Sequence, residues 1–160
     1  MEHGTAQILF ALLRSVLNGT KAEIGISRIV PETFSELLSI SRKHNIEHLV
    51  VYGLQQNGLL SEEYSQITNK IFEAAYRCEQ ICFEFERLCT ALEEAKIPFI
   101  PLKGAVMRKY YPETWMRTSC DIDVLVHEHD SEKAVSALID GCNYTYHKKG
   151  SHDIALITPG

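Results

Sequence analysis

Two carboxylates, Asp121 and Asp123, open a run that alternates acid and aliphatic: Asp121-Ile122-Asp123-Val124-Leu125-Val126. An extended strand sends successive side chains to opposite faces. This spacing therefore places both aspartates on one face and turns Ile122, Val124 and Val126 into a core on the other. The flanking residues are strong strand formers, which a solvated acidic loop would not need. Two like charges held side by side repel, so the pair makes chemical sense with a divalent cation between them. Mg²⁺ takes oxygen ligands, commonly one or two carboxylates completed by water and substrate phosphates. Asp121 and Asp123 are the candidate metal ligands.

Other chemistry-bearing residues stand close by in sequence. Ile97-Pro98-Phe99-Ile100-Pro101 reads as a short buried strand and runs into Leu102-Lys103-Gly104. Arg117 and Ser119 precede the acid pair, and Lys103, Arg108, Lys109 and Arg117 make this a locally basic stretch. Taken in order, the strand, the Lys-Gly turn, a short helix, an arginine and an Asp-hydrophobic-Asp strand resemble the signature of the polymerase beta-like nucleotidyltransferase superfamily. Within it they resemble a bacterial family with a Leu-Lys-Gly turn and an Arg-x-x-x-Asp-hydrophobic-Asp strand. The superfamily usually has Gly-Ser at the turn; here Ala105 follows Gly104, as the narrower family permits. The resemblance covers roughly the last third to two-fifths of the chain.

The resemblance implies transfer of a nucleoside monophosphate from a nucleoside triphosphate to an acceptor that it does not identify. Such sites position the reactants and neutralise charge, usually with two metals about 3.5–4 Å apart, Mg²⁺ or Mn²⁺. Asp121 and Asp123 would be the catalytic ligands, and Lys103 a point charge on the triphosphate. Gly104 would let the backbone approach the phosphates, with amides of the following helix as donors. Arg117 would either grip phosphate bidentately or lock the strand by pairing with an acid. Ser119 would offer a hydroxyl contact. The superfamily also places a third carboxylate on a later strand, expected here after the last hairpin. The chain ends at Ile157-Thr158-Pro159-Gly160, so the expectation is a sequence cut short before that group. Asp153, at the start of the final strand, is the one acid there.

Two other functions fit the same residues. One is a catalytically incomplete nucleotide- or partner-binding module of toxin–antitoxin type. The other is a helical interaction protein, with the long helix as the seam of a homo-oligomer. Other candidates have plainer explanations. His44 and His48 are four apart but lack a His-Glu-x-x-His pattern, and read as helix-surface or cap residues. His127-Glu128-His129-Asp130 reads as a polar turn and helix cap. Tyr110, Tyr111 and Trp115 read as packing under a loop, and Gly104 also suits a positive-φ turn.

The elements that must carry these residues follow from periodicity. Helices are expected over Thr5–Asn18 (Ile8, Leu9, Leu12, Leu13 and Leu17 inward, Thr5 capping), from Pro31 to about His44, and over Ile46–Asn57. Lys21 to Val30 reads as a connection. A long helix opens at Ser61 as N-cap and ends at Lys96, with Cys78, Cys82 and Cys89 among its core-facing residues. Then come a strand over Ile97–Leu102, a helix over Gly104–Tyr111, the strand Asp121–Val126, and a helix over Ser131–Asp140 stopped by Gly141. A hairpin of Asn143–Lys148 with His152–Thr158 closes the chain. The expected class is α+β: a helical region over 1–96, then an α/β core over 97–160 with a small mixed sheet flanked by helices.

Composition sets the remaining bounds. A chain of 160 residues is long enough for a proper core, and 45% hydrophobic with 23% charged residues is ordinary for a globular protein. The net charge of −5 gives no overall field for nucleic acid. There is no apolar run of membrane-spanning length, and Glu2 and His3 stand where a signal peptide would be basic. Five cysteines without a Cys-x-x-Cys pair point to free thiols and a reducing cytoplasm.

Overall fold

The structure, a computed structural model, describes residues 3–24, 29–151 and 153–158. In order the elements are α1 (His3–Asn18), α2 (Pro31–Lys43), α3 (Glu47–Gln56), a 3₁₀ turn (Glu62–Thr68), α4 (Asn69–Glu94), β1 (Phe99–Pro101), α5 (Gly104–Met107), β2 (Val124–Val126), α6 (Ser131–Cys142), β3 (Thr145–Lys149) and β4 (Ile154–Ile157). Further 3₁₀ turns cover Arg108–Tyr110, Thr114–Met116 and Glu128–Asp130. The α+β class is the one the sequence indicates, with six helices and two small antiparallel sheets among the described residues. The strands pair two by two, β1 with β2 and β3 with β4. Residues 25–28 of the expected connection and His152 of the expected final strand lie outside the described residues.

Contacts divide the chain into two compact units. The first is Met1–Cys78 with Arg108–Thr118, and the second is Glu79–Met107 with Ser119–Gly160. In the first unit Ile8, Leu9 and Leu12 of α1, Phe34, Leu37 and Leu38 of α2, and Val50, Val51 and Leu54 of α3 form a buried core. The spacing predicted Leu17 on the inner face of α1; Val16 takes that place and Leu17 is exposed, because the buried face sits one residue earlier on the helical wheel. Thr5 is not a cap. It lies inside α1, buried, and its hydroxyl donates to Glu36 of α2. Asn18 ends α1 before Gly19, whose φ of 64° is the left-handed turn that favours glycine.

Gly53 sets how closely α1 and α3 approach. A Cβ there would come 3.1 Å from Val16 Cγ2 and 3.3 Å from Leu12 Cβ. The segment 108–118 belongs to this unit. Met116 is buried with Val16 and Leu49, and Tyr111 and Trp115 pack against them.

The second unit is built around Leu88 and Leu92 of α4, Ile97, Ala134, Leu138 and Cys142 of α6, and Tyr144. Phe99, Ile122, Val124 and Val126 pack against this core. Arg87 ties α4 to the end of α6: Nη1 contacts both Glu84 oxygens at 2.9 and 3.0 Å, and Nη2 donates to the Cys142 carbonyl at 2.8 Å. The Tyr144 hydroxyl donates to Glu84 Oε2 at 3.0 Å, and burial followed by that carboxylate pushes its pKa up.

Several boundaries differ from expectation. The long helix starts at Asn69, and Ser61 caps only the preceding 3₁₀ turn, with no side-chain hydrogen bond. Residues from Gly104 to Tyr110 form one α-turn followed by one 3₁₀ turn. Gly141 does not stop α6: it lies inside, where a Cβ would meet Ala91 Cβ at 3.3 Å, and left-handed Asn143 (φ 56°) is the cap. Gly141 serves the approach of α6 to α4, and asparagine tolerates the left-handed conformation the cap needs.

Candidate functional site

The candidate residues of the second unit gather at one end of the β1–β2 ladder. Phe99 pairs with Val126, Ile100 with Leu125 and Pro101 with Val124. One step further, the Leu102 amide donates to the Asp123 carbonyl at 2.9 Å, so the register continues past the last regular pair. The strand itself is Val124–Val126, shorter than the expected Asp121–Val126. The cause lies in the partner strand: Lys103 adopts φ 45° and turns the chain away, so residues before Asp123 lose their ladder neighbour. The alternation of faces still holds. Ile122, Val124 and Val126 pack on the core, while Asp121 and Leu125 are exposed and Asp123 is half-buried.

Lys103 Nζ lies 3.2 Å from Asp123 Oδ2, with side chains 70% and 31% exposed. An ion pair this open to water contributes little, of order 1 kcal/mol or less. Its importance is positional, since it puts a cation beside a carboxylate at the ladder's end. The left-handed residue of the turn is Lys103 and not Gly104, and a non-glycine residue there costs roughly 1–2 kcal/mol. Gly104 is needed for another reason. It is buried, and a Cβ on it would come 2.8 Å from Ser119 Oγ and 3.1 Å from Ser119 Cβ. A bare α-carbon lets the loop before Asp121 close onto the turn after β1 without displacing Ser119. Gly104 then opens α5, and the Val106 and Met107 amides bond back to the Lys103 carbonyl. With four residues, α5 has little macrodipole, so any help its first amides give to an anion would come from direct hydrogen bonds.

Arg117 belongs to the first unit and Asp121, Asp123, Lys103, Gly104 and Ser119 to the second. Arg117 Nη1 donates to the Thr118 carbonyl at 2.9 Å. Buried Arg108 donates through Nε to the Arg117 carbonyl at 3.5 Å. Asp153 lies at the β3–β4 turn, with its carboxylate over Gly150 and its carbonyl accepting from the Gly150 amide at 2.8 Å. Among the described residues no three His, Cys, Asp or Glu side chains come together as a metal-binding group.

His48 is neither a surface nor a cap residue. It is buried in α3, and its Nε2 meets the Met116 carbonyl at 3.2 Å. Burial holds its pKa below the usual imidazole value, against the opposing pull of the Met116 carbonyl and Glu47. Trp115 stands edge-on to Tyr52, with ring centres 5.1 Å apart. Sequence reasoning missed this anchor because His48 and Met116 are far apart in the chain; the aliphatic neighbours Leu49, Val50 and Val51 were the one available signal. His44 is an exposed C-cap of α2, as read. His127–Asp130 is a polar turn, but Asp130 makes no side-chain cap hydrogen bond. No disulfide joins the cysteines among the described residues; Cys78 and Cys142 are buried and Cys120 is exposed. Tyr111 and Trp115 pack inward, while Tyr110 is exposed beneath Lys109. No helix among the described residues is long and apolar enough to cross a membrane.

The model of a family described as uncharacterised nucleotidyltransferase matches residues 31–156, a span that includes every candidate site residue. No curated protein and no solved structure matches the chain.

Proposed function

The chain belongs to this family of uncharacterised nucleotidyltransferases, and on that footing we propose that it carries a Mg²⁺-dependent site transferring a nucleoside monophosphate from a nucleoside triphosphate to an acceptor. The observation that carries the proposal is the end of the β1–β2 ladder, where Leu102 pairs with Asp123, Lys103 reaches Asp123 and Gly104 admits Ser119. It supports the polymerase beta-like variant with a Leu-Lys-Gly turn.

The donor set suits Mg²⁺, or Mn²⁺, delivered with its nucleotide. Two carboxylates, one held by the ladder, are what such an ion takes from protein when phosphates and water complete its shell. When bound, the ion would neutralise phosphate charge and polarise the α-phosphoryl group. Asp121 and Asp123 would hold it; Asp123 is already aimed by its backbone bond to Leu102. Lys103 would exchange its contact with Asp123 for the triphosphate and offset the charge that builds on the leaving pyrophosphate. Gly104 would let phosphate approach the α5 amides, and Ser119 would donate its hydroxyl. The acceptor oxygen bonds to the α-phosphorus, the bond to the β-phosphate oxygen breaks, and the acceptor's proton passes to solvent.

The test is a thermal-shift titration with ATP, CTP, GTP and UTP, each with and without Mg²⁺. Selective binding to the folded state raises its stability by about 2.7 kcal/mol at a hundredfold excess over Kd. A Mg²⁺-dependent rise supports the site and identifies the donor; no rise with any triphosphate counts against it. A nucleotide-binding module without transfer is the second reading, favoured by the lack of a three-acid group among the described residues. A Mg²⁺-dependent shift with no pyrophosphate release would select it. Exposed Phe72 and Tyr76, four apart on α4, favour a homo-oligomer seam there, and a monomer in sedimentation at high concentration would dismiss it.

A further inference from the structure

We propose that the open face of the β1–β2 sheet, formed by Ile100 and Leu125, is a shelf for the base of the nucleoside triphosphate. The inference rests on the reading of Asp121, Asp123 and Lys103 as the metal and phosphate end of the site. Side chains two apart on a strand share a face. Leu125 therefore lies on the face of Asp123, Ile100 lies opposite Leu125 in the ladder, and Leu102 lies opposite Asp123. The other face is occupied, since Phe99, Val124 and Val126 pack on the core. Yet Ile100 is 60% exposed and Leu125 is 55% exposed. Antiparallel sheets with one buried face usually turn polar residues to the other. Here that face carries a cross-strand aliphatic pair beside two carboxylates.

The order of chemistry along the ladder selects the occupant. Moving from the turn, it runs cation and close-approach glycine at Lys103–Gly104, carboxylate at Asp123, then the Ile100–Leu125 pair. A nucleoside triphosphate has the same order: the charged tail, the reacting α-phosphate, then a flat apolar ring beyond the ribose. Same-face residues on a strand are spaced by about 6.8 Å, a step that a ribose can bridge. Aliphatic side chains here would cover the face of the base and take apolar surface out of water.

The experiment is titration calorimetry on the full chain with Mg·ATP and with Mg·tripolyphosphate, which has the charged tail and no base. The wild type is expected to bind ATP at least ~10-fold more tightly than tripolyphosphate. Leu125→Ser should weaken ATP about tenfold and leave tripolyphosphate within about twofold, as should Ile100→Ser. Both side chains are largely exposed, so both variants should keep the wild-type circular dichroism. Equal affinity of the wild type for the two ligands overturns the shelf and leaves the phosphate site standing. So does ATP binding that neither variant changes, or a parallel loss of both ligands. Binding of neither ligand by the wild type removes the phosphate site and the shelf with it. A concentration-dependent dimer that Leu125→Ser dissolves gives this face to a second copy of the chain and also overturns it.

Discussion

Gly104 shows how one missing atom can organise a site. In a helix, replacing glycine by alanine ordinarily stabilises by roughly 0.5–1 kcal/mol. Here the new methyl would sit 2.8 Å from Ser119 Oγ. Gly104→Ala is therefore expected to destabilise by about 1–3 kcal/mol in urea unfolding, and an increase in stability would refute the close approach. The acid pair makes a separate prediction. Asp121→Asn with Asp123→Asn should abolish the Mg²⁺-dependent nucleotide shift and leave circular dichroism unchanged, because Asp123 is held through its backbone carbonyl. Nucleotide binding by the double variant equal to wild type would remove both residues from the site. The face that Asp121 and Asp123 share was legible from strand alternation. The role of Gly104 was not, because its partner Ser119 is distant in sequence.

At the scale of elements, helix existence was legible and helix boundaries were not. Pro31 at the start of α2 and glycine after α1 and α3 are local signals, and the structure uses them as such. The start of α4 and the end of α6 were misread because apolar spacing continues through a 3₁₀ turn and a helical glycine can serve packing. Gly53 belongs to this scale as well. Gly53→Ala would push a methyl to 3.1 Å from Val16 Cγ2, on a backbone where Leu12 is fully buried. The expected cost is about 1–3 kcal/mol, measured by thermal or chemical unfolding, whereas an exposed helical site would gain stability. A Tm equal to or above wild type would mean that α1 and α3 are not in close contact there.

For the molecule as a whole, the buried imidazole of His48 couples stability to pH. Its folded pKa lies below the unfolded value of 6.5. Between those two values the unfolded chain binds the proton that the folded chain refuses, so stability rises with pH across that window. The contribution is full above the unfolded pKa and is lost as pH falls toward the folded one. His48→Gln should flatten this part of the stability–pH curve measured by urea unfolding from pH 7.5 to 5. A slope identical to wild type would show that other groups cause it.

The sequence by itself determined the α+β class, the amphipathic faces and the candidate residues Lys103, Gly104, Arg117, Ser119, Asp121 and Asp123. The class and the faces depend on spacing within one element, where helical and strand periods can be read over short distances; Lys103, Gly104, Arg117 and Ser119 came from the resemblance of an ordered motif. Tertiary structure alone decided that Gly104 admits Ser119, that His48 anchors Met116, that the segment 108–118 packs in the first unit, and that Ile100 and Leu125 are left in water. Each is a relation between residues far apart in the chain, or a question of which face finds a partner, and periodicity carries no information about either.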